Sequence, residues 1–341
     1  MVSTLKRLTK RAVVHAVARI APLTWRWRKP GSLIVLMYHR VLPKDSPARQ
    51  DEQPGMYVSP ETLDLHLTEL KRHFELVHLD DWLRRAKDGT ALPRLSCALT
   101  FDDGWRDNYE FALPVLVKHQ APATVFLVSS YIGTTQRFWP NRLMELVRAE
   151  FTSPGSVWFP PKLRALIAPA VAQAGERGSI DADALDPIVQ RALQLDEGEI
   201  RALVSAAKGD APTTVSMRET LDQREIEDMA TSGLIHFGSH TRTHLRLHET
   251  VSSEAQLGEI AQSQVELQAI CGQSIEVFCY PNGVTCSAAV TLVSHHYRGA
   301  VSTNTGWHAV GSSPYLIPRI AVHDDISSDL AGFLTCLSAW L

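Results

Sequence analysis

The chain has few cysteines, and those it has do not pair by spacing. Five occur among 341 residues, at Cys97, Cys271, Cys279, Cys286 and Cys336, an odd number without a repeated interval. That argues against a disulfide framework and for a reducing compartment. An excess of positive charge is also lacking. The 34 Lys and Arg face 37 Asp and Glu, for a net charge of −3. The chain as a whole therefore carries no electrostatic footprint for nucleic acid. Internal repeats and low-complexity tracts are absent. With 45% hydrophobic and 21% charged residues, the composition is that of an ordinary globular protein, long enough for one large domain or two smaller ones.

The first thirty residues lack acidic side chains altogether, yet carry eight Lys or Arg together with Trp25 and Trp27. Their apolar residues are interrupted by His15 and Arg19, so the run is short for a membrane-spanning helix. No small-residue cleavage site follows, and a signal peptide is not expected. Residues 1–31 read as a basic amphipathic leader. It either lies on an anionic membrane surface or is a solvated basic leader that packs on the domain or frays. The expected location is cytoplasmic, with peripheral association at the inner membrane.

From Ser32 onward short apolar runs alternate with helical patterns. "SLIVLMYH", "SCALTF", "ATVFLV", "LIHFGS", "SIEVFCY", "GAVST" and "YLIPRIAV" read as strands. Between them, Ser59-Pro60 opens a helix as N-cap and first residue, and Asp222 with Glu225 forms a capping-box start. Gly233 and Gly272 stop helices. Repeated strand–helix units imply a mainly parallel sheet, open or closed into a barrel, in a domain covering 32–341. Residues from about 137 to 215 break this rhythm and read as a mainly helical insertion.

Several strands end in polar residues. "LMYH" ends in His39, "ALTF" in Asp102-Asp103, and "IHFGS" runs into His240-Thr241-Arg242-Thr243-His244. "VFCY" runs into Pro281-Asn282, and "RIAV" into His323-Asp324-Asp325. In a parallel sheet these ends share one rim, where such folds place their sites. His240 and His244, four apart, can reach one metal ion, and a carboxylate from the Asp102/Asp103 pair completes a two-His, one-carboxylate set. The cation would hold the second carboxylate ionised, ready to accept a proton. Trp105, just after the pair, either stacks on a substrate ring or packs internally. His236 reads as a core histidine.

These residues resemble the polysaccharide deacetylases, the family-4 carbohydrate esterases that share the NodB homology domain. "TFDDG" is similar to the family's first motif and "SHTRTH" to its second. The resemblance runs from about Ser32 to Phe333, apart from the insertion. It implies a distorted (β/α) barrel and one divalent metal ion, zinc above all, on Asp103, His240 and His244. It also implies Asp102 as general base and His323 as general acid, oriented by Asp324. Expected substrate contacts are His39, Trp105, Pro281 and Asn282. The implied reaction is removal of an N-acetyl group from an amino sugar of a bacterial surface polysaccharide or its glycolipid precursor. O-deacetylation, deformylation or a non-catalytic carbohydrate-binding role stay open beside it, and the oligomeric state is not specified. One departure stands out. The Arg of the family's third motif, which braces the catalytic Asp, is replaced by Cys279 in "CYPNG". Its support is either absent or supplied from elsewhere.

Overall fold

The computed structural model of the chain describes residues 2–177, 180–209 and 218–339. α1 (Val2–Trp25) leads into β1 (Ser32–Tyr38), short β2 (Arg40–Val41) and β3 (Tyr57–Val58), then α2 (Pro60–Leu70), β4 (Glu75–Leu76), α3 (Leu79–Lys87), β5 (Leu95–Phe101), α4 (Leu113–His119) and β6 (Ala123–Leu127). Next come α5 (Trp139–Thr152), β7 (Val157–Trp158), α6 (Pro161–Arg177), α7 (Ala182–Ala192), α8 (Glu197–Ala206) and β8 (Lys208–Gly209). The chain continues through α9 (Gln223–Thr231), β9 (Ile235–Ser239), α10 (Ser253–Leu257), α11 (Ser263–Cys271), β10 (Val277–Cys279), α12 (Ser287–His296), β11 (Gly299–Val301), β12 (Ile320–Ala321), α13 (Asp324–Ser327) and α14 (Leu330–Ser338).

Two compact units result. One comprises Met1–Pro43, Tyr57–Thr134 and Thr220–Leu341, the other Lys44–Met56 and Thr135–Glu219. The second gathers the helices α5–α8 of the expected insertion around its own apolar core, including Leu143, Leu163, Leu185 and Ile200. It also takes in Lys44–Met56, which sequence reading leaves in the main domain: Glu52 accepts from Asn141 Nδ2 (3.1 Å), and Gln53 Nε2 donates to Asp186 (2.9 Å). Val215, near the expected end of the insertion, lies outside the described residues.

In the first unit the strands run β11-β10-β9-β6-β5-β1-β12, with β4 beside the start of β5, and every pair is parallel. Ile317, just ahead of β12, bridges Val301 of β11 in parallel, so one segment links the two edge strands and the sheet curls into a distorted, incomplete barrel. Strands covered on both faces read as continuous apolar runs, and β1 illustrates this. Leu33 and Val35 join Phe126, Val277 and Ile317 in the barrel interior. Ile34, Leu36 and Tyr38 join the layer under the helices. The expected caps form: Ser59 Oγ accepts from Thr62 N (3.1 Å), and Asp222 and Glu225 make a reciprocal capping box.

That outer layer contains a buried imidazole. His66 is completely buried, with Nε2 donating to the Ser327 carbonyl (2.7 Å), Nδ1 bonded to the Tyr38 hydroxyl (3.0 Å) and its ring stacked on Phe333 at 3.8 Å. Burial pushes its pKa down to about 4. The unfolded chain, with an ordinary His pKa of about 6.5, therefore takes up this proton first. Stability from this site is intact above about pH 6.5 and declines as pH falls toward about 4. Between pH 8 and pH 5 the native chain is expected to lose about 2 kcal/mol more stability than a His66→Gln variant, measured by urea denaturation at both pH values. Equal losses would show that His66 does not carry this acid sensitivity.

Candidate functional site

The strand ends converge as the parallel register requires. Tyr38 pairs with Phe101, and Leu127 with Ser239, so His39, Asp102-Asp103 and His240 leave the sheet at one end. The two adjacent carboxylates are separated by a backbone reversal. Asp103 has φ 73° and Gly104 φ 69°. A Cβ on Gly104 would sit 2.8 Å from Leu127 Cδ2, so the turn needs glycine for both its conformation and its space.

Asp102 turns inward to Arg319. The guanidinium donates from Nη1 to Oδ1 (2.7 Å) and from Nη2 to Oδ2 (2.8 Å). Its remaining N–H groups go to the Ser302 carbonyl (3.0 Å), Thr100 Oγ1 (3.1 Å) and Cys279 Sγ (3.2 Å). All five guanidinium donors are thus used in a side chain that is 1% exposed. Burial works to raise the Asp102 pKa, but the charge and hydrogen bonds of Arg319 outweigh it and hold the carboxyl below its ordinary range. Arg319 thus supplies the brace whose usual third-motif position holds Cys279. Burial pushes the Cys279 thiol pKa up, which suits a packing and hydrogen-bonding role rather than a nucleophile. Sequence reading passed over Arg319, although a lone Arg inside the apolar run "YLIPRIAV" is itself the signal of a buried ion pair.

Asp103 faces the histidines. Its Oδ1 lies 3.5 Å from His240 Nε2 and 3.4 Å from His244 Nε2. Ligands about 2.0–2.1 Å from a tetrahedral ion stand about 3.3 Å apart, so these donors are spaced for a shared cation. His240 donates from Nδ1 to the Cys279 carbonyl (2.8 Å), which leaves the Nε2 lone pair for a metal. The loop carrying both histidines has positive φ at Thr241 (64°) and His244 (62°). Glu259 holds it by accepting from the N–H groups of Arg242 (2.9 Å) and Thr243 (2.8 Å) and from Thr243 Oγ1 (2.7 Å). Glu259 sits in a π-turn, Gly258–Gln262, between α10 and α11, a local widening often found beside functional sites. The pattern "SHTRTH" carries no hint of this distant support.

Trp105 requires a correction. It is 1% exposed, its Nε1 donates to Asp103 Oδ2 (2.9 Å), and the Arg40 guanidinium lies 4.2 Å over its ring. Arg40 is itself tied to buried Asp107 (2.9 Å). Trp105 therefore positions a carboxylate and has no face for a sugar. The partner of His323 is also corrected: Nδ1 bonds Asp325 (3.0 Å), whereas Asp324 accepts from the Ser59 N–H (3.0 Å) and Thr62 Oγ1 (2.7 Å) at the start of α2. His39 Nε2 stands 3.8 Å from Asp102 Oδ2, and His323 follows β12 beside β1. Pro281 is buried after β10, while Asn282 is exposed with φ 54°.

A second cluster, His78, Asp80 and His236, lies at the opposite, amino-terminal end of the strands. His236 is half-buried rather than in the core and bonds Asp80 at 2.9 Å, with its ring stacked on His78 at 3.6 Å and only 6° from parallel. Lone pairs lie in the plane of each imidazole, so parallel stacked rings do not aim them at one ion.

If Arg319 holds Asp102, removing it strands a buried charge. Arg319→Met is expected to cost about 3–5 kcal/mol, and adding Asp102→Asn should recover at least half of it. Urea midpoints of the single and double variants check this. No recovery in the double variant would mean that the pair is not coupled.

The family model described as Polysaccharide deacetylase matches residues 90–156 and 195–297. The protein YxkH of Bacillus subtilis is 27% identical over 128 residues, 35% of this chain and 40% of that one. Poly-beta-1,6-N-acetyl-D-glucosamine N-deacetylase of Staphylococcus epidermidis is 30% identical over 113 residues, 31% of this chain. The chain spans 40% and 39% of the lengths of these two relatives. Among solved structures, the Streptococcus pyogenes deacetylase PplD in complex with acetate aligns with a TM-score of 0.57 at 18% identity, over 88% of this chain and 96% of that one. IcaB from Ammonifex degensii aligns with a TM-score of 0.57 at 17% identity, over 90% and 98%. Both share the fold of the first unit's curled parallel sheet and its helices. With the family match spanning the "TFDDG" and "SHTRTH" segments, the chain belongs to the polysaccharide deacetylase family.

Proposed function

We propose that the chain is a metal-dependent hydrolase that removes the N-acetyl group from an amino sugar of a bacterial surface polysaccharide or of its glycolipid precursor. One observation carries this reading. A carboxylate locked by arginine, Asp102, stands directly beside the Asp103–His240–His244 donor set at the carboxyl end of the sheet. Asp103, His240 and His244 would hold the ion, and two imidazoles with one carboxylate suit zinc. When bound, the ion supplies Lewis-acid polarisation of the substrate carbonyl and of water.

The protein's own residues do the rest. Asp102, kept ionised by Arg319, accepts a proton from the attacking water. His323, oriented by Asp325, returns a proton to the sugar nitrogen as the amide C–N bond breaks, giving acetate and the free amine. In the turn at Pro281–Gly283 the Gly283 N–H is donated to the Tyr280 carbonyl, so the Asn282 N–H is the donor that would serve the oxyanion, and His39 borders Asp102 on the substrate side. The basic leader supports a peripheral position at a membrane. The Staphylococcus epidermidis relative acts, by its name, on poly-beta-1,6-N-acetyl-D-glucosamine, which makes amino-sugar oligomers the first substrates to try. A purely carbohydrate-binding role drew its support from the missing third-motif Arg, and Arg319 on Asp102 removes that ground.

Zinc-loaded enzyme with β-1,6-linked N-acetylglucosamine oligomers is expected to release acetate and free amine in equal amounts. Chelation should abolish the release and added zinc restore it. Acetate without amine from an O-acetylated oligomer would mean O-deacetylation. Formate from an N-formylated sugar would mean deformylation. No product from any of these with metal bound would overturn a catalytic reading.

A further inference from the structure

α1 carries two apolar stripes, and only one is used inside the protein. Ala18, Ala21 and Trp25 are buried at 6%, 2% and 2% exposure. They lie on the side that packs against α14, where Thr335 Oγ1 donates to the Val14 carbonyl (3.1 Å). Trp25 meets the rings of His73 and Phe74, each at 5.0 Å, and of Trp307 at 6.3 Å. Trp307 is thereby a packing residue. From Val14 to Trp25 the leader is thus docked on the fold.

The second stripe faces away from these contacts. Positions 13, 16, 20, 23 and 27 recur every three or four residues, which on a helix is one face. Val13 is 52% exposed, Ile20 48%, Leu23 58% and Trp27, just past the helix end, 78%. Exposed Arg19, Arg26 and Lys29 flank the stripe, and the Arg26 guanidinium lies 5.0 Å from the Trp27 ring. No acidic residue occurs in this segment. Large apolar side chains in a row, in a segment whose only charged side chains are cations, suit neither plain solvent nor the domain's own core.

We propose that this outer face of α1 is a docking surface for an anionic lipid bilayer. Val13, Ile20, Leu23 and Trp27 would enter the boundary between headgroups and acyl chains, with Arg19, Arg26 and Lys29 on the anionic headgroups. Among the described residues no helix is long and apolar enough to cross a membrane, and the charge pattern describes a helix lying flat. The packing of Trp25 and Ala21 fixes the first unit's orientation to the lipid, which a frayed basic tail would not do. The lipid surface is chosen over a second copy of the chain because the flank is of one charge sign and cannot complement itself. This inference is independent of the deacetylase reading, since lipid binding is measured without substrate.

The experiment is co-sedimentation of the full chain with vesicles of phosphatidylcholine alone and of phosphatidylcholine with phosphatidylglycerol, at low and high salt. Binding should require the anionic lipid and weaken with salt. Leu23→Ser with Trp27→Ser should lower partitioning roughly tenfold, and Arg19→Glu with Arg26→Glu should lower it and flatten its salt dependence. Circular dichroism should stay unchanged in both. Equal sedimentation with neutral and anionic vesicles would overturn the proposal even if a variant failed to fold. So would wild-type binding by a folded Leu23→Ser, Trp27→Ser variant, or a dimer in lipid-free buffer that these substitutions dissolve.

Discussion

The site rests on a two-pronged ion pair. Two adjacent carboxylates at a strand end repel each other, and burial raises the cost of charging both. The fold resolves this by sending them in opposite directions. Asp102 turns into the barrel to meet Arg319, while Asp103, at φ 73°, turns to the histidines. A buried arginine is tolerable only with its donors satisfied, and here each N–H finds an acceptor on β5, on Asp102 just after it, on β10 or on the segment after β11. Arg319 therefore both orients a carboxylate and ties together strands on opposite sides of the curled sheet. It also accounts for Cys279, a small side chain where another arginine would compete for the same space.

Support for the candidate metal donors is layered in the same way. His240 is set by a backbone carbonyl, its loop by Glu259, and Asp103 by Trp105, which is itself covered by Arg40 on Asp107. Each link is a buried or half-buried hydrogen bond or ring contact, so small displacements are resisted from several directions. A divalent ion brought to Asp103, His240 and His244 would find donors already spaced for it.

Much of this was legible in the sequence because it is local. The Ser59 cap and the Asp222–Glu225 box depend on neighbours within a turn. The polar strand ends follow from the alternation of strands and helices. What was illegible depends on distant or nearly equivalent residues. Arg319 meets Asp102 across 217 positions, and the binding of Lys44–Met56 to α5 and α7 likewise joins remote segments. Asp324 and Asp325 are adjacent at the start of α13, and only the direction of each side chain decides which one holds His323. Trp105 was ambiguous for the same reason: its place in the sequence does not say whether its indole faces solvent or Asp103.

The central claim is the division of labour between Asp102 and Asp103, and metal content measured beside turnover tests it most directly. Asp103→Asn should lose most bound metal and activity together. Asp102→Asn should keep its metal, on Asp103, His240 and His244, yet lose turnover by about a hundredfold or more, since an amide accepts no proton. Metal lost from Asp102→Asn and kept in Asp103→Asn would reverse the two roles, and full activity in both variants would contradict the account.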